Sequence, residues 1–129
     1  MNNIEFTNCW DISEDHMKEK YRSCDLVAFV STYEGFGMPI LEANATGRPV
    51  ITSNILSMPE VAADAACIVD PFNTAEIRAG ILRIITDQTY REQLNDNGRR
   101  NVLRYSPDTI AQQYAELYRE VYGEPAVIR

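Results

Sequence analysis

Cysteine and histidine are scarce in this chain, with three of the first and one of the second in 129 residues. Cys9, Cys24 and Cys67 are odd in number and lack CxxC spacing, which argues against a disulfide scaffold or zinc site and for reduced thiols in the cytoplasm. They read as small core or near-core residues. His16 stands beside Glu14 and Asp15 on a polar stretch, so it reads as a surface residue rather than a general base. No grouping of His, Cys or Asp has ligand spacing, and no metal is implied. Long apolar runs are missing as well, which leaves no candidate for a membrane-spanning helix, and no basic-then-apolar leader is visible. Positive charge is in short supply: 12 Lys and Arg against 19 Asp and Glu give a formal charge of −7. Phosphate surfaces attract clustered cations, so this balance argues against an unaided binder of nucleic acid or anionic membrane. Lys18, Lys20 and Arg22 are the one basic concentration. Glu14, Asp15 and Glu19 interrupt it, so it reads as a solvated helix face.

What is present is an ordinary apolar fraction, which fits a single small globular unit over residues 1–129 with one core. Short apolar runs alternate with amphipathic stretches, the pattern of an α/β unit on a mostly parallel sheet. The pattern predicts strands over residues 4–7, 26–30, 49–52 and 66–69, about four in all. Ser13 caps a helix reaching about residue 23. Pro39 opens a helix that Gly47 stops, and a helical turn near Pro59 interrupts the loop 53–65. From Thr74 a helix presents Ile77, Ile81, Leu82, Ile84 and Ile85 on one face. The next helix, 89–103, continues through Asn97-Gly98 because its charged and apolar spacing persists. Ser106-Pro107 starts the last helix, whose Ala111, Tyr114, Leu117, Tyr118 and Val121 form a stripe read as core packing. Trp10 is expected to pack under the first loop, and residues 123–129 to fray.

The chemistry concentrates between the second strand and the helix that follows. Glu34 and Glu42 flank the glycine turn Gly35-Phe36-Gly37, and proline suits a helix's first position, so the donors of Met38, Ile40 and Leu41 surround the positive end of the helix dipole. That is an anion site, most naturally for phosphate. Two carboxylates would repel the same anion; ionised glutamates instead accept hydrogen bonds from diols of a ribose or hexose. The plainer reading, a turn followed by a solvated Glu42, suits a glycine turn alone; the whole strand-loop-turn-helix arrangement with both acids favours a site for a sugar nucleotide. Asp70-Pro71 reads as a turn. Glu60 could approach a nucleotide, with a helix-start carboxylate as an equal explanation.

The run Ser31-Thr32-Tyr33-Glu34-Gly35-Phe36-Gly37-Met38-Pro39-Ile40-Leu41-Glu42-Ala43, followed by Gly47-Arg48-Pro49-Val50-Ile51, resembles the signature of the retaining glycosyltransferases of family 4, which have the two-domain GT-B fold. Met58-Pro59-Glu60-Val61 and Val69-Asp70-Pro71 extend the likeness. The resemblance implies a Rossmann-like sheet flanked by helices, part of the C-terminal, donor-binding half of such an enzyme. It assigns Glu34 to the donor sugar as the catalytic residue, Glu42 to the ribose, and the backbone amides of Gly35, Phe36, Gly37 and Met38 to the diphosphate, with no metal and no cofactor. The donor is a nucleotide diphosphate sugar, and the acceptor is a saccharide or lipid-linked molecule bound through an N-terminal domain that this chain lacks. The location implied is the cytoplasm, peripheral at the inner membrane face in a longer enzyme.

Length departs from the family, whose members are several times longer, so the chain looks incomplete. The family's arginine and lysine pair lies upstream of anything matched here. Two central strands of the family's sheet would be missing, and exposed edges must be managed, so a homodimer is expected. Turnover by this chain alone is not. Three other classes of domain compete with this reading. A phosphoacceptor receiver domain needs an acidic pair after the first strand, where Asn8-Cys9-Trp10-Asp11 does not match. A dinucleotide-binding domain needs G-x-G-x-x-G, and Ile40 occupies the third glycine's place. A non-catalytic interaction module that kept the fold is the alternative.

Overall fold

Three short runs of apolar and β-branched residues pair in parallel as β1 (Val27–Phe29), β2 (Val50–Ser53) and β3 (Cys67–Val69), in the order β1-β2-β3. Val27 lies opposite Val50, and Ile51 opposite Cys67. The computed structural model describes residues 5–123. Every residue of β2 is buried, as a central parallel strand covered on both faces requires. β1 and β3 are the sheet's two edges, and Ala28 of β1 is exposed. The strand expected over residues 4–7 does not form in residues 5–7, and Ile4 lies outside the described residues. A run so short becomes a strand only against a neighbouring edge, and this one pairs with none, so the sheet has three strands instead of about four.

The helices are α1 (Glu14–Ser23), α2 (Met38–Ala45), α3 (Met58–Ala62), α4 (Thr74–Thr86), α5 (Gln88–Leu103) and α6 (Pro107–Tyr122). Side-chain oxygens of Ser13, Asn73, Asp87 and Ser106 cap α1, α4, α5 and α6, each accepting a first-turn N–H. Lys18 lies 3.6 Å from Glu14 and 3.5 Å from Asp15, both exposed pairs of small energetic weight, in keeping with a solvated face.

Alternation along β2 divides the interior. Val50 joins Ile40, Leu41, Ala43, Met58 and Val61 beneath α2 and α3, whereas Ile51 joins Cys67, Val69, Ile84 and Leu94 beneath α4 and α5. A sheet covered on both faces thus yields two apolar clusters where the composition suggested one. On α4, Ile84 is buried, Ile77 and Ile81 are half-buried, and Leu82 and Ile85 are exposed.

Asn97-Gly98 marks a crossing, not a break. A Cβ at Gly98 would lie 2.9 Å from Asn44 Nδ2, so glycine lets α5 come down onto α2. Around this crossing Asn101 Nδ2 donates to Asn44 Oδ1 at 3.0 Å and to the Val61 carbonyl at 2.9 Å. Asn44 Nδ2 donates to the Ala65 carbonyl at 3.3 Å, and Asn97 Nδ2 to that of Asp64 at 2.8 Å.

Two readings of the apolar pattern are corrected. No residue of α6 is buried, and Ala111, Tyr114, Leu117, Tyr118 and Val121 all stand exposed. Periodicity decides which residues share a helix face, but not whether another surface covers it. Trp10 packs under no loop and is 80% exposed. Of the cysteines, Cys67 is buried and Cys24 half-buried as read, whereas Cys9 is exposed.

Replacing Asn101 with Ala strips the donor from two buried acceptors. It is expected to lower stability by about 2–4 kcal/mol. The exposed Gln113→Ala should stay within about 0.5 kcal/mol, both read from urea unfolding midpoints with unchanged slope.

Candidate functional site

The chain leaves the carboxyl end of β1, crosses residues 30–37 and enters α2, and its loop is held by hydroxyls from the neighbouring strand and helix. Ser53 Oγ donates to the Ser31 carbonyl at 2.5 Å. Ser57 Oγ, just ahead of α3, donates to the Phe36 carbonyl at 2.9 Å and reaches that of Glu34 at 3.4 Å. Phe36 sets its ring edge-on to Tyr105, with centroids 5.6 Å apart. The carbonyls of Ser31, Glu34 and Phe36 are therefore turned toward the scaffold. Among the described residues, no protein acceptor takes the N–H of Gly35, Phe36, Gly37 or Met38. Unclaimed amides grouped at a helix start are groups that an anion can satisfy.

Gly37 is the residue before the helix and has φ 105°, a left-handed conformation that a side chain would strain. A Cβ there would also lie 3.2 Å from Ile40 Cδ1. Gly35 has open space around it, so its backbone can be approached from outside. The sequence reading of the helix start needs two corrections. α2 begins at Met38, one residue before Pro39. The Ile40 N–H is not free, because it donates to the Gly37 carbonyl at 3.0 Å, the tight turn that a left-handed entry produces.

Both carboxylates border this turn. Glu34 is half-buried, and among the described residues its carboxylate forms neither a salt bridge nor a side-chain hydrogen bond. Glu42 is exposed one turn along α2 from Met38, on the same face. Its Oε2 accepts from Tyr21 Oη of α1 at 2.6 Å. Burial first, and then the bond to Glu42, hold the Tyr21 phenol well above its ordinary pKa, so it stays a donor. A cavity of about 410 Å³ runs along this edge, lined by Met17, Lys18 and Tyr21 of α1 and by Glu42, Ala45 and Thr46. A larger one of about 670 Å³ opens at the other end of the strands, beside Leu26, Pro49, Ile85 and Arg91. The smaller cavity shares Glu42 with the site and otherwise runs between α1 and the last turn of α2, without a residue of the loop 30–37 in its lining.

The remaining candidates resolve simply. Asp70 Oδ1 accepts from the Phe72 N–H at 2.9 Å, which is a turn. Glu60 is an exposed first-turn carboxylate of α3, and His16 is exposed on α1. Among the described residues no group of three or more His, Cys, Asp and Glu could hold a metal ion, and no helix is long and apolar enough to cross a membrane. Tyr21, Ser57 and Tyr105 were not singled out from the sequence. Each meets the site across more than twenty positions of chain, and a lone aromatic or serine carries no sign of such a partner.

The model of the family described as "Glycosyl transferases group 1" matches residues 2–101. Over 108 residues the chain is 33% identical to the O-antigen chain mannosyltransferase B of Escherichia coli, covering 84% of this chain and 28% of that protein. It is also similar to the C-terminal domain of a glycosyl transferase group 1 family protein from Francisella tularensis, with a TM-score of 0.69 and 27% identity over 78% of this chain and 53% of that one. Anabaena HepE, solved in complex with UDP-glucose, matches with a TM-score of 0.70 and 28% identity over 79% of this chain and 29% of that one. The chain thus spans under a third of the length of the mannosyltransferase. Its architecture is that of part of the C-terminal half of a GT-B glycosyltransferase.

Gly37→Ala is expected to lower stability by about 1–2 kcal/mol, from its left-handed backbone. Gly35→Ala, with room for a methyl group, should change it by less than about 0.5 kcal/mol in parallel denaturation curves. Alkaline pH gives a second check. Tyr90 is pushed up to about 12 by burial and then by the neighbouring Cys67 thiol, and Tyr21 is raised as well. The fold favours the neutral phenol at both positions, so this stabilisation is full below the ordinary phenol pKa and is lost as pH rises above about 10. Unfolding curves should shift downward above that pH, and less so in Tyr90→Phe.

Proposed function

Because the chain belongs to the group 1 glycosyl transferases, we propose that its strand-loop-helix unit is the donor-binding element of an enzyme that moves a hexose from a nucleotide diphosphate sugar to a saccharide or lipid-linked acceptor, with retention at the transferred carbon. The observation that carries this reading is the set of unclaimed amides from Gly35 to Met38, lying between two carboxylates at the start of α2. Glu34 positions the donor sugar, and Glu42 accepts from the ribose hydroxyls. The amides of Gly35, Phe36, Gly37 and Met38 take the negative charge that grows on the diphosphate as the glycosidic bond breaks, where fixed donors are worth most. The UDP-glucose held by the Anabaena neighbour supports a donor of this class.

Retention on this reading needs no covalent sugar on Glu34. The leaving phosphate assists the acceptor hydroxyl on the same face, and Glu34 fixes the orientation of the ring. The donor is a substrate, and no resident cofactor or metal is invoked. The acceptor binds through a domain that the longer relatives have beyond the matched region. A homodimer that covers the open edge of β1, and a cytoplasmic enzyme peripheral at the inner membrane face, complete the proposal.

Glu42→Ala should weaken calorimetric binding of a nucleotide sugar at least about tenfold, the loss of charge-assisted hydrogen bonds. Glu34→Gln should weaken the nucleotide sugar but leave the bare nucleoside diphosphate unchanged. Equal affinity of Glu42→Ala and the unaltered chain would remove Glu42 from the site. A folded chain that binds neither compound would favour a non-catalytic interaction module.

A further inference from the structure

α1 and α2 meet through one side-chain hydrogen bond among the described residues, from Tyr21 Oη to Glu42 Oε2 at 2.6 Å. The tyrosine is well placed to control where that carboxylate points. Its ring packs against the apolar cluster under α2 and α3, so the phenol oxygen is fixed by packing. Its backbone is anchored at the end of α1, where Cys24 Sγ donates to the Tyr21 carbonyl at 3.3 Å and Arg48 donates to the carbonyl of the next residue, Arg22. Glu42 itself stands on an exposed helix face. An exposed glutamate samples many rotamers, and fixing one of them opposes any ligand that needs the carboxylate still.

We propose that Tyr21 is a positioning residue of the donor site, holding the Glu42 carboxylate in the rotamer that receives the ribose diol. This rests on the role of Glu42 given above. Tyr21 occupies Oε2 and leaves Oε1, with the remaining lone pairs, for the ligand's hydroxyls. The rotamer cost is then met before the nucleotide arrives, the usual gain of a preorganised site. Because burial and Glu42 both hold the phenol in its neutral form, the donor persists across the ordinary pH range.

A bond that merely braced α1 against α2 would affect every ligand alike, whereas positioning affects only those with a diol to present. Calorimetry on the chain with UDP and GDP, each beside its dideoxyribose counterpart, separates the two. The unaltered chain should prefer the ribose form about tenfold or more. Tyr21→Phe should weaken the ribose form about three- to tenfold and leave the dideoxy form in place. In a Glu42→Gln background the same substitution should change neither form. Equal weakening of both forms by Tyr21→Phe, or of neither, overturns the positioning role while leaving Glu42 in the site. No ribose preference in the unaltered chain, or no binding at all, removes the role of Glu42 and this inference with it.

Discussion

The buried contact between Asn44 and Asn101 is the constraint on which the site depends. α2 has only eight residues, too few to persist on its own propensity, yet its first turn must present backbone amides in one orientation. Its register is set from behind. Asn101 divides its amide group between Asn44 and the Val61 carbonyl, while Asn44 donates to Ala65, so α2, α5 and the end of α3 share one polar node. Each of these groups would be costly if left unpaired in the interior, which makes the network an all-or-nothing arrangement. Gly98 permits it by keeping α5 close. Beside it Ala63 holds a left-handed φ of 47°, a conformation tolerated because Asn97 and Asn101 fix the backbone on either side.

From that node the site is built outward by a division of labour along the loop backbone. Hydroxyls of Ser53 and Ser57 engage the carbonyls of Ser31 and Phe36, and the ring of Phe36 leans on Tyr105. The amides of Gly35, Phe36, Gly37 and Met38 are left without a protein acceptor. Such an arrangement needs little reorganisation when an anion arrives, because the groups that would oppose it already point elsewhere. The carboxylates differ in kind: Glu42 is held by a neighbouring helix, whereas Glu34 is half-buried on the loop with no such bond.

Much of this was legible without coordinates. Capping serines at 13 and 106, the turn at Asp70, the helix stop at Gly47 and the parallel strands of β1 to β3 each follow from local chemistry, since their causes lie within a few residues. The unit around Glu34 and Glu42 was found by the same route, because strand, glycine turn and proline are contiguous. Failures came where a partner was needed. Residues 5–7 had the composition of a strand but no edge to join, and the α6 stripe had helical spacing but nothing over it. Trp10 shows the same limit for a single residue.

The sequence by itself determined the order of strands and helices, the place of the glycine turn and the two acids around it, because period, capping and backbone preference act over short spans of chain. The tertiary structure decided that Ile40 spends its amide inside the turn, that Tyr21 grips Glu42, and that asparagines of α2 and α5 meet in the interior. Those contacts join residues far apart in the chain, and only the packing of one element on another brings them within a hydrogen bond's length.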